Sequence, residues 1–177
     1  EKEGTALLEK LAEEDTVGYA FFKRTVAHVL MSLGGDNDKD TDLRLEQRGP
    51  ISDAEAIEAI GEASRALGER ALIGVGTVLD IETCHAACEA GAEFVVSPVT
   101  KPELAVAAHE HDRPIMLGVY TPTEAQMAHE AGSDFVKLFP ADGLGARFIR
   151  NLRAPLPHLR IVPTGGVTVE NAGEFLK

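Results

Sequence analysis

Lys137 carries the clearest chemical potential in this sequence. It stands inside an apolar run, Phe135-Val136-Lys137-Leu138-Phe139-Pro140. An ammonium group loses hydration among such neighbours, and that loss disfavours its charged form. The lysine pKa then falls from its ordinary value of about 10.4, and neutral amine becomes available near neutral pH. A neutral amine adds to a ketone carbonyl and forms a protonated imine, an electron sink for carbon–carbon cleavage. The alternative is a lysine at a strand end whose amine reaches solvent. Two glycine turns form the second chemical element, Gly74-Val75-Gly76-Thr77 and Pro163-Thr164-Gly165-Gly166-Val167. Glycines between a strand and a helix let backbone N–H groups approach a phosphate or carboxylate. Plain tight turns use the same residues.

Other reactive side chains do not assemble into a motif. His28, His85, His109, His111, His129 and His158 lack ligand spacing, and His109-Glu110-His111 is not a metalloprotease pattern. They read as surface residues of helices, and no metal is expected. Cys84 and Cys88 lie four apart in a helical stretch with no second pair, so they read as buried helix thiols and not as zinc ligands. A reducing cytoplasm is the location this cysteine usage suggests.

The elements that must position these residues alternate between strand and helix from Ala71 onward. Strands are expected over Ala71–Val75, Glu93–Ser97, Pro114–Val119, Asp134–Phe139 and Arg160–Pro163. The helices between and after them are Asp80–Ala90, Lys101–His111, Thr123–Ala131, Ala146–Arg153 and Val169–Lys177. Strands apolar on both faces suit a parallel sheet covered by helices. Thr121-Pro122-Thr123-Glu124 combines a cap, a first-turn proline and an acid at the positive end of the helix dipole. Gly91 and Gly132 stop the preceding helices. The segment Glu89–Val95 repeats as Glu130–Val136, the helix-to-strand join of successive units. Further upstream the reading is a charged N-terminal helix over 1–15, a strand Val17–Lys23, a helix Thr25–Leu33 and an acidic loop over 34–42. A strand Leu43–Gln47 and a helix Ser52–Leu67 complete it. Seven strands and about eight helices make one domain over 1–177.

Net charge is −12 and the pI is near 4.9. Such a field disfavours nucleic acid and anionic membranes as partners. A small anionic substrate remains compatible, because a few local cations or N–H groups can hold it. No run of about 18 apolar residues is present, so no membrane span is expected, and the charged N-terminus has no signal-peptide core.

From Ala71 to Lys177 the sequence resembles the 2-keto-3-deoxy-6-phosphogluconate/2-keto-4-hydroxyglutarate (KDPG/KHG) aldolase family. The matching stretches begin with Ile73-Gly74-Val75-Gly76-Thr77-Val78-Leu79, Gly91-Ala92-Glu93-Phe94-Val95-Val96-Ser97-Pro98 and Gly118-Val119-Tyr120-Thr121-Pro122-Thr123-Glu124. Val136-Lys137-Leu138-Phe139-Pro140-Ala141 and Pro163-Thr164-Gly165-Gly166-Val167 follow, in the family's order and spacing. The resemblance implies a TIM-type (β/α)8 barrel, a homotrimer, and chemistry without metal or organic cofactor through an imine at Lys137. It implies Thr77 lining the pyruvyl site, Pro98 and Phe139 as site walls, and Gly165 and Gly166 receiving the distal phosphate or carboxylate.

The first third departs from the family. A glutamate four residues before an arginine is the family's general acid/base; Arg48 fits the arginine, but Arg44 stands four before it. Side chains alternate along a strand, so Arg44, Glu46 and Arg48 share a face, and Glu46 is the candidate proton carrier. Lys23 or Arg24 resembles the basic end of the family's first strand, which holds the substrate carboxylate. The family's eighth strand is not found, so the expected barrel lacks it. The reading is a class I aldolase that splits 2-keto-3-deoxy-6-phosphogluconate into pyruvate and glyceraldehyde 3-phosphate. The same chemistry on 2-keto-4-hydroxyglutarate or 2-keto-3-deoxy-6-phosphogalactonate is the alternative. A reading of another class is an impaired barrel that binds anions or partners without catalysis.

Overall fold

The computed structural model describes residues 53–67 and 72–176. The elements expected over 1–47, and with them Lys23, Arg24, Glu46 and Arg48, lie outside the described residues. The chain divides into two units, with the boundary in sequence between Ile73 and Gly74. In the first, α1 spans Asp53–Leu67 with Arg65 in its last turn, where a cation complements the helix dipole. Ile57, Ile60, Gly61 and Ser64, spaced at helical intervals, form its less exposed side.

The second unit is a five-stranded parallel sheet in sequential order. Its elements are β1 (Gly74–Val75), α2 (Ile81–Ala90), β2 (Phe94–Val96), α3 (Pro102–His109), β3 (Ile115–Val119) and α4 (Pro122–Glu130). They continue with β4 (Phe135–Leu138), α5 (Gly145–Arg153), β5 (Ile161–Pro163) and α6 (Ala172–Phe175). The strict βα alternation makes each strand the parallel neighbour of the one before, as right-handed crossovers require. The centre of the sheet is dry: Phe94, Val95, Ile115, Leu117 and Leu138 are at most 2% exposed. Helices α3 and α4 pack on β3, and α4 also on β4.

The local signals explain most boundaries. Asp80 caps α2 by accepting a 2.7 Å hydrogen bond from the Thr83 N–H. Thr121 caps α4 with Pro122 in the first turn, as the sequence suggested, and Glu124 closes a reciprocal capping box with it. Gly91 and Gly132 adopt φ of 112° and 91° at the two matching helix stops. Three elements fall short of the expected length by three residues or more. In the first strand only Gly74 and Val75 pair, with Phe94 and Val95. Helix α3 ends at His109 because the following residues form a turn in which Asp112 takes φ 55°. The last helix begins at Ala172 because the Asn171 side chain holds the preceding turn. It donates to the Gly166 carbonyl at 2.8 Å and accepts from the Thr168 N–H at 2.7 Å.

Gly118 shows why one glycine is indispensable. A Cβ there would overlap the Pro98 carbonyl carbon and oxygen and lie 2.6 Å from the Val99 nitrogen. The Thr100 hydroxyl donates to the Gly118 carbonyl at 2.7 Å and holds the loop in that position. Backbone cannot move aside as a flexible side chain can. Gly118→Ala is therefore expected to cost about 1–3 kcal/mol or more, read as a lower urea midpoint. An unchanged midpoint would show that the loop after β2 is free to shift.

Candidate active site

The site is built on β4. Its side chains alternate, with Val136 and Leu138 buried and Phe135 and Lys137 part-exposed on the other face. In register, Lys137 lies between Gly118 on β3 and Val162 on β5. At Gly118 the place of a side chain is taken by the Pro98 and Val99 backbone. Burial pushes the Lys137 amine below the ordinary lysine range. Among the described residues its Nζ has no carboxylate within 4.0 Å and no hydrogen bond; it rests 4.8 Å from the centre of the Phe139 ring. Lys137 is thus a partly desolvated amine held against an aromatic face, with no described partner for its proton. The chemistry open to it is addition to a carbonyl.

The remaining candidates gather at the carboxyl ends of the strands. Thr77 follows β1 and is exposed, Pro98 follows β2, and Phe139 follows β4 with 41% of its surface exposed. The turn after β5 is laced to the loop after β4. The Ala141 N–H donates to the Thr164 carbonyl at 2.8 Å, and the Asp142 N–H to the Gly165 carbonyl at 3.1 Å. Gly165 and Gly166 adopt φ of 83° and 75°, the left-handed region that favours glycine. A Cβ on Gly165 would lie 3.1 Å from the Phe139 ring. Lys137, Phe139 and the glycine turn therefore form one continuous surface. Among the described residues the N–H groups of Gly165 and Gly166 donate to no protein acceptor, so both are available to an anion.

Two further residues belong to this surface. The Thr164 hydroxyl oxygen is buried without a described hydrogen-bond partner. By strand alternation it falls on the face of Val162, the β5 neighbour of Lys137. Its place within the glycine motif was the only sequence signal for it. Asp142 packs its side chain on Gly166, and the sequence offered no signal for that, because the contact depends on how two loops meet.

The histidines and cysteines lie elsewhere. His85 Nδ1 and His111 Nε2 are 2.8 Å apart, the His129 and His158 rings are 4.5 Å apart, and His109 Nε2 lies 3.0 Å from Asp134 Oδ2. His111 and His158 sit in turns and not on helices, a correction to the sequence reading; His28 lies outside the described residues. Cys84 and Cys88 are buried on α2, and a thiol hydrogen bond between them together with burial pushes the Cys84 thiol up. Among the described residues, no group of three or more His, Cys, Asp or Glu could hold a metal ion. No described helix is long and apolar enough to cross a membrane.

Comparison with known proteins gives the same direction. The family model "KDPG and KHG aldolase" matches residues 51–177. The chain is 40% identical over 124 residues to 2-dehydro-3-deoxy-phosphogluconate aldolase of Treponema pallidum, covering 70% of this chain and 57% of that protein. It is 34% identical over 128 residues to 2-dehydro-3-deoxy-6-phosphogalactonate aldolase of Escherichia coli, covering 72% and 62%. Among solved structures, Legionella pneumophila KDPG aldolase with pyruvate captured as a covalent carbinolamine superposes with a TM-score of 0.63 at 30% identity. That match covers 68% of this chain and 59% of the other. The chain therefore spans about three-fifths of the length of these relatives.

Proposed function

Since this chain belongs to the KDPG and KHG aldolase family, we propose that it is a class I aldolase that cleaves 2-keto-3-deoxy-6-phosphogluconate. The single observation that carries the proposal is the unpartnered, partly desolvated amine of Lys137 beside a glycine turn with free N–H donors. The amine adds to the C2 ketone, and loss of water leaves a protonated imine. Glu46 removes the C4 hydroxyl proton, the C3–C4 bond breaks, and its electron pair enters the imine to give an enamine. Glyceraldehyde 3-phosphate departs. Protonation at C3 and hydrolysis release pyruvate and restore Lys137. No organic cofactor or metal takes part in this scheme.

The other assignments follow the same reading. Arg48, Thr77 and Lys23 hold the pyruvyl end, and Pro98 and Phe139 wall the site. Gly165 and Gly166 receive the distal phosphate. The five parallel strands are a contiguous part of one (β/α)8 barrel domain, which assembles as a cytoplasmic homotrimer. Light scattering of the purified protein tests the trimer. The similarity to a phosphogalactonate aldolase favours the C4 epimer as a second substrate. Pyruvate release from each epimer, followed by its coupled reduction, tests the function. Release from neither by folded protein would overturn it.

A further inference from the structure

The glycine turn that would receive the substrate's distal group has a carboxylate as its neighbour. Gly166 has room for no Cβ, because one there would overlap Asp142 Cβ and lie 2.7 Å from its Cγ and 2.9 Å from its Oδ2. Asp142 Oδ1 accepts a 2.8 Å hydrogen bond from the Gly143 N–H, which fixes the side chain on this side of its loop. The lacing of the Asp142 N–H to the Gly165 carbonyl fixes the backbone. No described cation lies within 4.0 Å of the carboxylate. Among the described residues, the titratable groups facing this region include Tyr120, whose hydroxyl would lie 3.6 Å from a Cβ on Gly143, and Lys137, whose amine rests on the Phe139 ring beside Gly165. The N–H donors of Gly165 and Gly166, which have no acceptor among the described residues, thus attract an anion, while a carboxylate on the adjoining loop, with no described cation paired to it, repels it.

We infer that Asp142 is a specificity-determining residue that sets how much charge the distal site accepts. It weakens binding of a dianionic phosphate more than that of a monoanion such as a carboxylate, and so narrows the preference for phosphorylated keto-acids. The inference rests on the proposed placement of the distal group at Gly165 and Gly166. Its sign follows from Coulomb's law. At about 5 Å in a water-like medium each unit of ligand charge is disfavoured by roughly threefold to fivefold, and a second unit multiplies the effect. A phosphate monoester acquires its second charge near pH 6, and inorganic phosphate about one unit higher, so the effect of Asp142 grows as pH rises through that range. A residue acting only as a structural brace would show no such dependence on the charge of the ligand.

The test is calorimetric binding of inorganic phosphate to the wild-type protein and to Asp142→Asn, which keeps the acceptor for the Gly143 N–H and the side-chain shape. The variant is expected to bind phosphate about 9- to 25-fold more tightly at pH 8, where the ligand is a dianion. That gain should shrink at pH 5.5, where phosphate is a monoanion. Trapping of pyruvate on Lys137 is measured in both proteins alongside. Equal or weaker phosphate binding by the variant at pH 8 would overturn the inference, as would a gain independent of pH or no phosphate binding by either protein. Pyruvate trapping reads the aldolase assignment separately, so failure of one is distinguishable from failure of the other.

Discussion

Replacing Lys137 with Met is expected to abolish imine formation and to lower aldol cleavage on the order of 10⁶-fold, the scale for losing a covalent nucleophile. The same substitution is expected to stabilise the fold. Burial lowers the Lys137 pKa in the folded protein, whereas the unfolded chain keeps a value of about 10.4. Between the lowered and the ordinary pKa the unfolded state binds more protons, so stability rises with pH across that window. Below it the cost of desolvating the ammonium is present in full. Met carries no charge and avoids that cost, so its advantage should be largest at neutral pH and fade toward pH 10. Melting temperatures across pH, with pyruvate trapping in parallel, check both parts. Full cleavage activity in Lys137→Met would remove the mechanism. Equal stability at all pH values would show that the amine is better hydrated than its position implies.

This opposition between activity and stability was legible in the sequence, because a lysine in a run of Phe, Val and Leu violates the pattern around it. The alternation of strands and helices was legible for the same reason, since apolar runs ending in glycine or proline recur from β1 to β5. The reading placed the helix cap at Thr121 and the helix stops at Gly91 and Gly132 correctly. What it missed depends on side chains meeting across loops. Asn171 shortens the final helix by holding the turn after Gly166. Asp142 reaches Gly166 only because the loops after β4 and β5 are laced together. The contact between His85 and His111 joins residues 26 apart, beyond any local pattern.

Glu46→Gln is expected to leave imine trapping largely intact and to slow carbon–carbon cleavage by about 10²- to 10⁴-fold, the usual range for loss of a general acid/base. The expectation comes from the sequence alone, in which strand alternation would give Glu46 one face with Arg44 and Arg48, and from the family's use of a glutamate before that arginine. Gln keeps the size and one acceptor oxygen but cannot take the C4 hydroxyl proton. Single-turnover measurement separates the steps, because imine formation precedes bond cleavage. If turnover is unchanged, the proton leaves through another group and Glu46 is a bystander. If trapping falls with cleavage, Glu46 acts earlier, in binding or dehydration.

The measurement that bears most directly on the central claim is reduction of the protein with borohydride in the presence of pyruvate, followed by mapping of the modified peptide. Imine formation requires the neutral amine, so labelling should rise with pH through the lowered Lys137 pKa and then level off. The account predicts a single reduced pyruvyl adduct, carried by the peptide that contains Lys137. Folded protein that acquires no adduct, or acquires it on another lysine, would contradict it.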